Sequence, residues 1–215
     1  MTGTAQRPVL RVVGLTQSFG DHRVLDGLDF EVAAGTATVL VGPNGSGKST
    51  ALRCVTGADQ PQAGALELLG EPLDELSPTI RAAMAVVMDD LDFFPDLTAI
   101  EHLDLFARAH RVPDPEALVD EVLSEVGLSA QAAQLPVSLS SGQRRRLALA
   151  SAFVRPRRLL VLDEPEQRLD AEGLDWLIGR LRAEKSAGLA ILLASHSADL
   201  VDAVADQVVT LGRAT

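Results

Sequence analysis

The stretch Gly42-Pro43-Asn44-Gly45-Ser46-Gly47-Lys48-Ser49-Thr50 follows an apolar run and precedes a helix-forming segment. It matches the pattern G-x-x-x-x-G-K-[ST] at Gly42, Gly47, Lys48 and Ser49. Glycines in such a turn let backbone N–H groups curl around phosphate oxygens. Lys48 then reaches the β- and γ-phosphates, and the Ser49 hydroxyl takes Mg2+. A second segment, R-L-L-V-L-D-E-P over 158–165, is an apolar strand ending in Asp163 and Glu164. An apolar strand that ends in acid is common alone. After a phosphate loop, Asp163 becomes a carboxylate for the Mg2+ shell, and Glu164 a general base facing the attacking water. A guanine reader of the N-K-x-D type is missing, because Asn44 is the sole asparagine. A third segment, L-S-S-G-Q-R-R-R over 139–146, places two serines and a glycine before a basic helical run. Its helix start offers unpaired N–H groups to an anion, and also reads as an ordinary serine N-cap.

These groups need a scaffold, and the hydrophobic pattern supplies one. Short apolar runs predict strands over 9–13, 28–33, 36–41, 65–69, 84–88, 158–162, 189–194 and 208–211. Helices are expected over 48–56 and 171–185. Between 97 and 153 the spacing is almost purely helical: Ala99, Leu103, Phe106, Ala107 and His110 share one face, and Leu118, Val122, Glu125 and Val126 another. Prolines 95, 113, 115 and 136 mark the joints. The pattern is an α/β core interrupted by a helical insert. Hydrophobic residues make up 47 % of 215, enough for a substantial core, while no run is long enough to cross a bilayer. The N-terminal eight residues are polar and carry no signal segment, and the lone Cys54 is expected to pack rather than cross-link, so the chain reads as cytosolic. A net charge of −11 speaks against a nucleic-acid partner.

In combination the three segments resemble the ATP-binding cassette (ABC) ATPases, the nucleotide-binding engines of ABC transporters, over nearly the whole chain. L-S-S-G-Q is similar to that family's signature L-S-G-G-Q, with Ser141 in place of the first glycine. The resemblance implies a P-loop NTPase with a RecA-like α/β core at about 8–89 and 156–215, an N-terminal antiparallel β part, and a helical subdomain at about 90–155. Residues 1–215 then form one nucleotide-binding domain, and no regulatory domain is expected after His196. It implies that ATP and Mg2+ bind, and that two such subunits, identical or different, close head to tail around two ATP. Ser140, Gly142 and Gln143 would cap the γ-phosphate held by the other subunit. Phe19 would stack on adenine, Asp170 would close the D-loop, and His196 would act as the switch histidine at the γ-phosphate.

Two places depart from the family pattern. Glu166, Gln167 and Arg168 replace the usual small residues of the D-loop, and Asp89 stands where a glutamine helps hold Mg2+ and water. Aspartate is shorter by one methylene and charged, and it is a candidate for direct ligation of the metal. Asp89, Asp90, Asp92 and Asp96 flank Phe93-Phe94, where the resemblance expects a membrane subunit's coupling helix to dock. The implied role is the ATPase subunit of a transporter on the inner face of the membrane, driving a separate transmembrane permease. Compact cassettes of this kind resemble subunits of small exporters, including haem-exporter and multidrug types. The alternative is a soluble ABC ATPase acting on macromolecular or cofactor assembly.

Overall fold

Strands over Ala37–Val41 (β3), Leu159–Asp163 (β7) and Ala190–Ala194 (β8) consist almost wholly of apolar residues, and they lie side by side in the middle of the molecule. The computed structural model describes residues 7–74, 76–89 and 92–212. Its parallel sheet has the order β6-β7-β8-β3-β9, with β6 at Met84–Val87 and β9 at Gln207–Thr210. A strand buried on both faces must be apolar at every position, which is why these runs do not alternate. Leu159 and Val161 of β7 pack into one hydrophobic cluster, and Leu160 and Leu162 into the other. The first cluster joins the sheet to an antiparallel sheet and to helix α1 (Lys48–Thr56). The second joins it to the helical insert and to helix α6 (Ala171–Ser186).

The antiparallel sheet has the order β2-β1-β4-β5, from Leu10–Phe19 (β1), His22–Val32 (β2), Ala63–Leu68 (β4) and Glu71–Pro72 (β5). Strands β1 and β2 form one long hairpin in place of the two short strands expected at 9–13 and 28–33. The pairing shifts register three times between Val12 and Ser18. Each shift breaks the period-2 alternation on which a strand is read. The tight turn at Gly20 brings Phe19 opposite His22, so Phe19 ends the sheet at an exposed tip.

Between β6 and β7 run helices Ala99–Ala109 (α3), Pro115–Glu125 (α4) and Ser141–Phe153 (α5), with short 3-10 turns before α5. The helical region expected over 97–153, with its proline joints, consists of three capped helices. Thr98 and Glu101 form a reciprocal capping box, and Asp114 caps α4 with Pro115 at its first turn. Glu125, an acid on an otherwise apolar face, accepts hydrogen bonds from Trp176 Nε1 at 3.1 Å and Arg180 Nη1 at 2.5 Å and so ties α4 to α6. Two short helices escaped the hydrophobic pattern: Pro78–Ala83 (α2), capped by Ser77, and Ala198–Val204 (α7), capped by Ser197. Each spans no more than two turns, too short to establish a 3.6-residue period.

The parallel register is what builds a site. Leu40 pairs with Ala194, and Ala194 with Asp163, so β3, β8 and β7 end level with one another. The phosphate-loop segment leaves β3 there, Glu164 leaves β7, Ser195-His196 leaves β8, and Met88-Asp89 leaves β6. Carboxyl ends of parallel strands are where open α/β sheets bind ligands.

Cys54 lies on α1 with no exposed surface. Burial, aided by the charge of Asp59, pushes its thiol up to about 11 from 9.0. A thiol displaced by two units carries about a hundredfold less thiolate at pH 8. Disulfide-exchange reagents are therefore expected to modify the folded protein at least about 100-fold more slowly than the protein in denaturant. Equal rates in a colorimetric thiol assay would contradict this packing.

Candidate functional site

The phosphate-loop geometry follows from its glycines. Gly42 and Gly47 have φ of 154° and 96°. A Cβ on Gly42 would sit 2.4 Å from the Leu211 carbonyl oxygen, and one on Gly47 2.8 Å from the Leu25 side chain. No other residue type fits either turn. Gly47 is the N-cap of helix α1, which has no side-chain cap and no acid of its own in the first turn, so its N-terminal N–H groups face the loop. Lys48 is buried, and its Nζ donates to the carbonyls of Gly42 at 3.0 Å and Pro43 at 3.3 Å.

An open groove of about 430 Å³ is lined by Phe19, His22, Val24, Asn44, Gly45, Gly47, Lys48, Ser49, Thr50 and Glu164. Its chemistry is graded. An aromatic face, 55 % exposed on Phe19, lies at one end, and the lysine, hydroxyls and carboxylate lie at the other. Sequence reasoning missed His22 and Val24, which arrive only through the β1–β2 turn. Ser46 does not face this groove. Its Oγ is buried without a partner among the described residues, on the far side of the loop beside Gly42.

Asp163 and Glu164 end β7 beside this groove. Burial and the neighbouring charges of Glu164 and Asp89 hold the Asp163 carboxyl above its usual range, against a hydrogen bond from Ser49. Its Oδ1 is buried with no partner among the described residues. An orphaned carboxylate oxygen next to a serine hydroxyl is a donor set that fits a hard divalent cation. Among the described residues no group of three or more His, Cys, Asp or Glu side chains is arranged to hold a metal ion by itself. Glu164 takes a left-handed φ of 44°, uncommon for a residue with a side chain. Its Oε1 lies 3.9 Å from Lys48 Nζ and 3.6 Å from His196 Nδ1, and Gln167 donates to Oε2. The ring of His196 is half exposed.

Asp89 reaches another partner. Its carboxylate lies 3.6 Å from Arg168, and both side chains are about half exposed. Two of the unusual residues thus face each other. Asp90 lies outside the described residues. Phe93 is partly buried against the core of the helical insert, whereas Phe94 is exposed. His102, buried under both rings, accepts the Phe94 N–H at 2.9 Å.

Ser140, Gly142, Gln143 and Asp170 line a separate groove of about 380 Å³ with Gly127, Arg146 and Arg168. Ser140 Oγ accepts the Gln143 N–H at 3.2 Å, and Gln143 Oε1 accepts the Ser140 N–H at 2.8 Å. The serine cap is therefore real, and it leaves the Ser140 hydroxyl proton free to donate. A Cβ on Gly142 would lie 2.9 Å from the Arg168 carbonyl oxygen, so glycine allows α5 to abut the turn after β7. Asp170 caps α6 through the Gly173 N–H at 2.9 Å and binds Arg146 at 2.7 Å. Those two bonds hold its carboxyl below the usual range.

The two grooves carry the two anion-facing helix starts that the sequence singles out, and they are distinct. A model of the ABC transporter family matches residues 25–167, well over half of the chain. The chain belongs to the ABC transporter family, as an ATP-binding domain. The Nod factor export ATP-binding protein I of Cupriavidus metallidurans is 38 % identical over 192 residues, 87 % of this chain and 63 % of that protein. The present chain therefore spans less than two thirds of that relative. The SkfA peptide export ATP-binding protein SkfE of Bacillus subtilis is 32 % identical, covering 94 % of this chain and 85 % of its own. A solved structure of an ATP-binding subunit of an ABC transporter superposes with a TM-score of 0.88 at 29 % identity, over 94 % of this chain and 85 % of that one. No helix among the described residues of this ABC domain is long and apolar enough to cross a membrane.

One residue of this ABC domain that sequence reasoning passed over joins its parts. Arg145 of α5 is 3 % exposed. Its guanidinium donates to the carbonyls of Met88 at 3.2 Å, Asp163 at 2.6 Å, Glu164 at 2.6 Å and Pro165 at 3.2 Å. Burial lowers its pKa from the ordinary arginine value. Arginine suits this place because its planar fork serves several acceptors at once. Arg145→Ala would strip four carbonyls, two of them in fully buried hydrogen bonds, of a charged donor. It is expected to lower unfolding stability by about 3–5 kcal/mol, read as an earlier urea midpoint at unchanged slope. A midpoint equal to wild type would show that the guanidinium is dispensable.

Proposed function

We propose that this chain is the ATP-hydrolysing subunit of an ABC transporter. In this reading it dimerises around two ATP, with an identical or a different ABC subunit, and drives a separate transmembrane permease from the cytoplasmic side of the membrane. The observation that carries the proposal is the division between grooves. Phe19, the phosphate loop and Glu164 share one, whereas Ser140, Gly142 and Gln143 line another that carries no phosphate loop. A signature that lies outside the groove of its own phosphate loop suits a phosphate held by a second chain.

Within one half-site, Phe19 offers a π face to the base. The amides of 44–50 and Lys48 neutralise the β- and γ-phosphates, and Lys48 exchanges its two carbonyl partners for phosphate oxygens. Ser49 and Asp163 would hold Mg2+, which supplies charge neutralisation on the phosphate oxygens. Glu164 accepts a proton from water as that water attacks the γ-phosphorus. The bond to the β-phosphate oxygen breaks in line, giving ADP and phosphate. His196, held on the strand end beside Glu164, donates to a γ-phosphate oxygen. Across the dimer, Ser140 and the α5 N-terminus add donors to the same phosphate. Asp170 keeps Arg146 and α5 registered against the turn after β7 and so supports that contact without touching the chain's own nucleotide. Asp89, through Arg168, links the edge of β6 to that turn. The names of the relatives, which speak of export and transport, support a membrane partner, and the exposed Phe94 at the start of the helical insert is a surface for one.

Glu164→Gln keeps the shape of the base but cannot accept the proton. Turnover is expected to fall about 10²- to 10⁴-fold while ATP binding persists, with an ATP-bound dimer accumulating on gel filtration. A steady-state rate equal to wild type would remove Glu164 from the role of base.

Ser140→Arg places bulk and charge in the second groove only. Nucleotide affinity of the monomer is expected to stay within about twofold, and ATP-driven dimerisation to be lost, whereas Lys48→Ala should lose binding itself. Mixing the two variants can assemble one composite site with an intact loop opposite an intact signature, so partial activity should return. A binding defect in the Ser140→Arg monomer would place the signature in cis and overturn the dimer reading.

A further inference from the structure

The turn that follows Glu164 carries a second carboxylate, unused by the roles above. The Glu166 side chain is only 8 % exposed. Its Oε1 accepts the Ser195 hydroxyl at 2.5 Å and lies 3.3 Å from the backbone N–H groups of both His196 and Ser197. Ser195 is fully buried, and its Oγ in turn accepts the Ser197 N–H at 3.0 Å. Oε2 is buried with no partner among the described residues.

Three donors thus converge on one carboxylate oxygen, and all three come from the short segment between β8 and α7. They grip the backbone on both sides of His196, whose own ring is half exposed and lies 3.6 Å from Glu164 Oε1. A ring so exposed has little packing to aim it, so its direction depends on the peptide that bears it.

Stability alone does not explain an acid here. Burying a carboxylate with one oxygen unpaired costs more than an apolar side chain of similar size would. What the side chain supplies is one oxygen shared by three donors, a short bond from the Ser195 hydroxyl at 2.5 Å and two longer ones from backbone N–H groups at 3.3 Å.

We infer that Glu166 is a positioning residue for hydrolysis: its carboxylate holds segment 195–197 so that the imidazole of His196 stays beside Glu164 and over the γ-phosphate position. This rests on the reading of His196 given above. Glu166 itself contacts neither nucleotide nor water in that scheme.

The test is steady-state ATP hydrolysis by Glu166→Ala and Glu166→Gln, each alone and combined with His196→Ala, with melting temperatures as a check on folding. Glu166→Ala is expected to lower kcat about 10-fold with KM for ATP within about twofold, because the groove at Phe19 and Lys48 is untouched. Glu166→Gln keeps a carbonyl oxygen for the three donors and should recover to within about threefold of wild type. On the His196→Ala background, Glu166→Ala should add less than about twofold, since it acts through that ring. If Glu166→Ala does not fold, Ser195→Ala removes only the hydroxyl donor. It is expected to lower kcat about threefold, with KM unchanged and nothing added on the His196→Ala background. Wild-type kcat in the Ala variants, a Gln variant as slow as Ala, or a further 10-fold loss on the His196→Ala background would each overturn the inference. Wild-type turnover by His196→Ala alone would instead overturn the histidine's role, and this inference with it.

Discussion

A single guanidinium sits where the helical insert meets the sheet. Arg145 leaves the signature helix and binds carbonyls from the end of β6 and from the turn after β7. Through it the signature, the strand carrying Asp163 and the approach to Asp89 share one buried charge. Loss of that fork would leave the carbonyls of Asp163 and Pro165 buried without their charged donor. The arrangement also has a mechanical consequence. A shift of α5 must carry the Asp163–Pro165 backbone with it, or break charge-assisted bonds. That is a direct physical link between the groove lined by Ser140 and Gly142 and the strand end beside the phosphate loop.

The parallel sheet makes the remaining demands simple. Three strands that end level deliver lysine, carboxylate and histidine to one edge without any long loop. Both faces of the sheet are covered, one by α1 and the antiparallel sheet, the other by the insert and α6. Such a scaffold is rigid, so the strained backbone at Glu164 and the buried Asp163 can be sustained by packing elsewhere. The turn after β7 is then the busiest backbone in the molecule. Within 164–170 it holds Glu164, the Glu166 carboxylate on the β8–α7 segment, the Arg168 partner of Asp89 and the cap of α6.

Much of this was legible in residue order. The phosphate loop, the Asp163-Glu164 strand end and the α1 boundaries depend on contacts within about ten residues, and local pattern reads such contacts well. The core strands were legible because both-face burial forces continuous apolar runs. The β1–β2 hairpin was read too short because its bulges break the alternation, and α2 and α7 were missed because two turns make no period.

What order alone could not decide is which distant groups meet. Glu125 shares a helix face with apolar residues in the sequence pattern, and only the fold brings Trp176 and Arg180 to it; Phe93, beside the exposed Phe94, is partly buried against the insert. The sequence by itself determined the chemistry available: a phosphate cradle, an acid pair, and a second helix start suited to an anion. Only the tertiary structure decided that the two anion-facing helix starts occupy different grooves, and that Arg145 and Glu166 tie the loops together. The reason is physical. A motif is closed by bonds between near neighbours, whereas these partners lie 18 to 57 residues apart for Arg145 and 29 to 31 for Glu166. They meet only when the strands are in register.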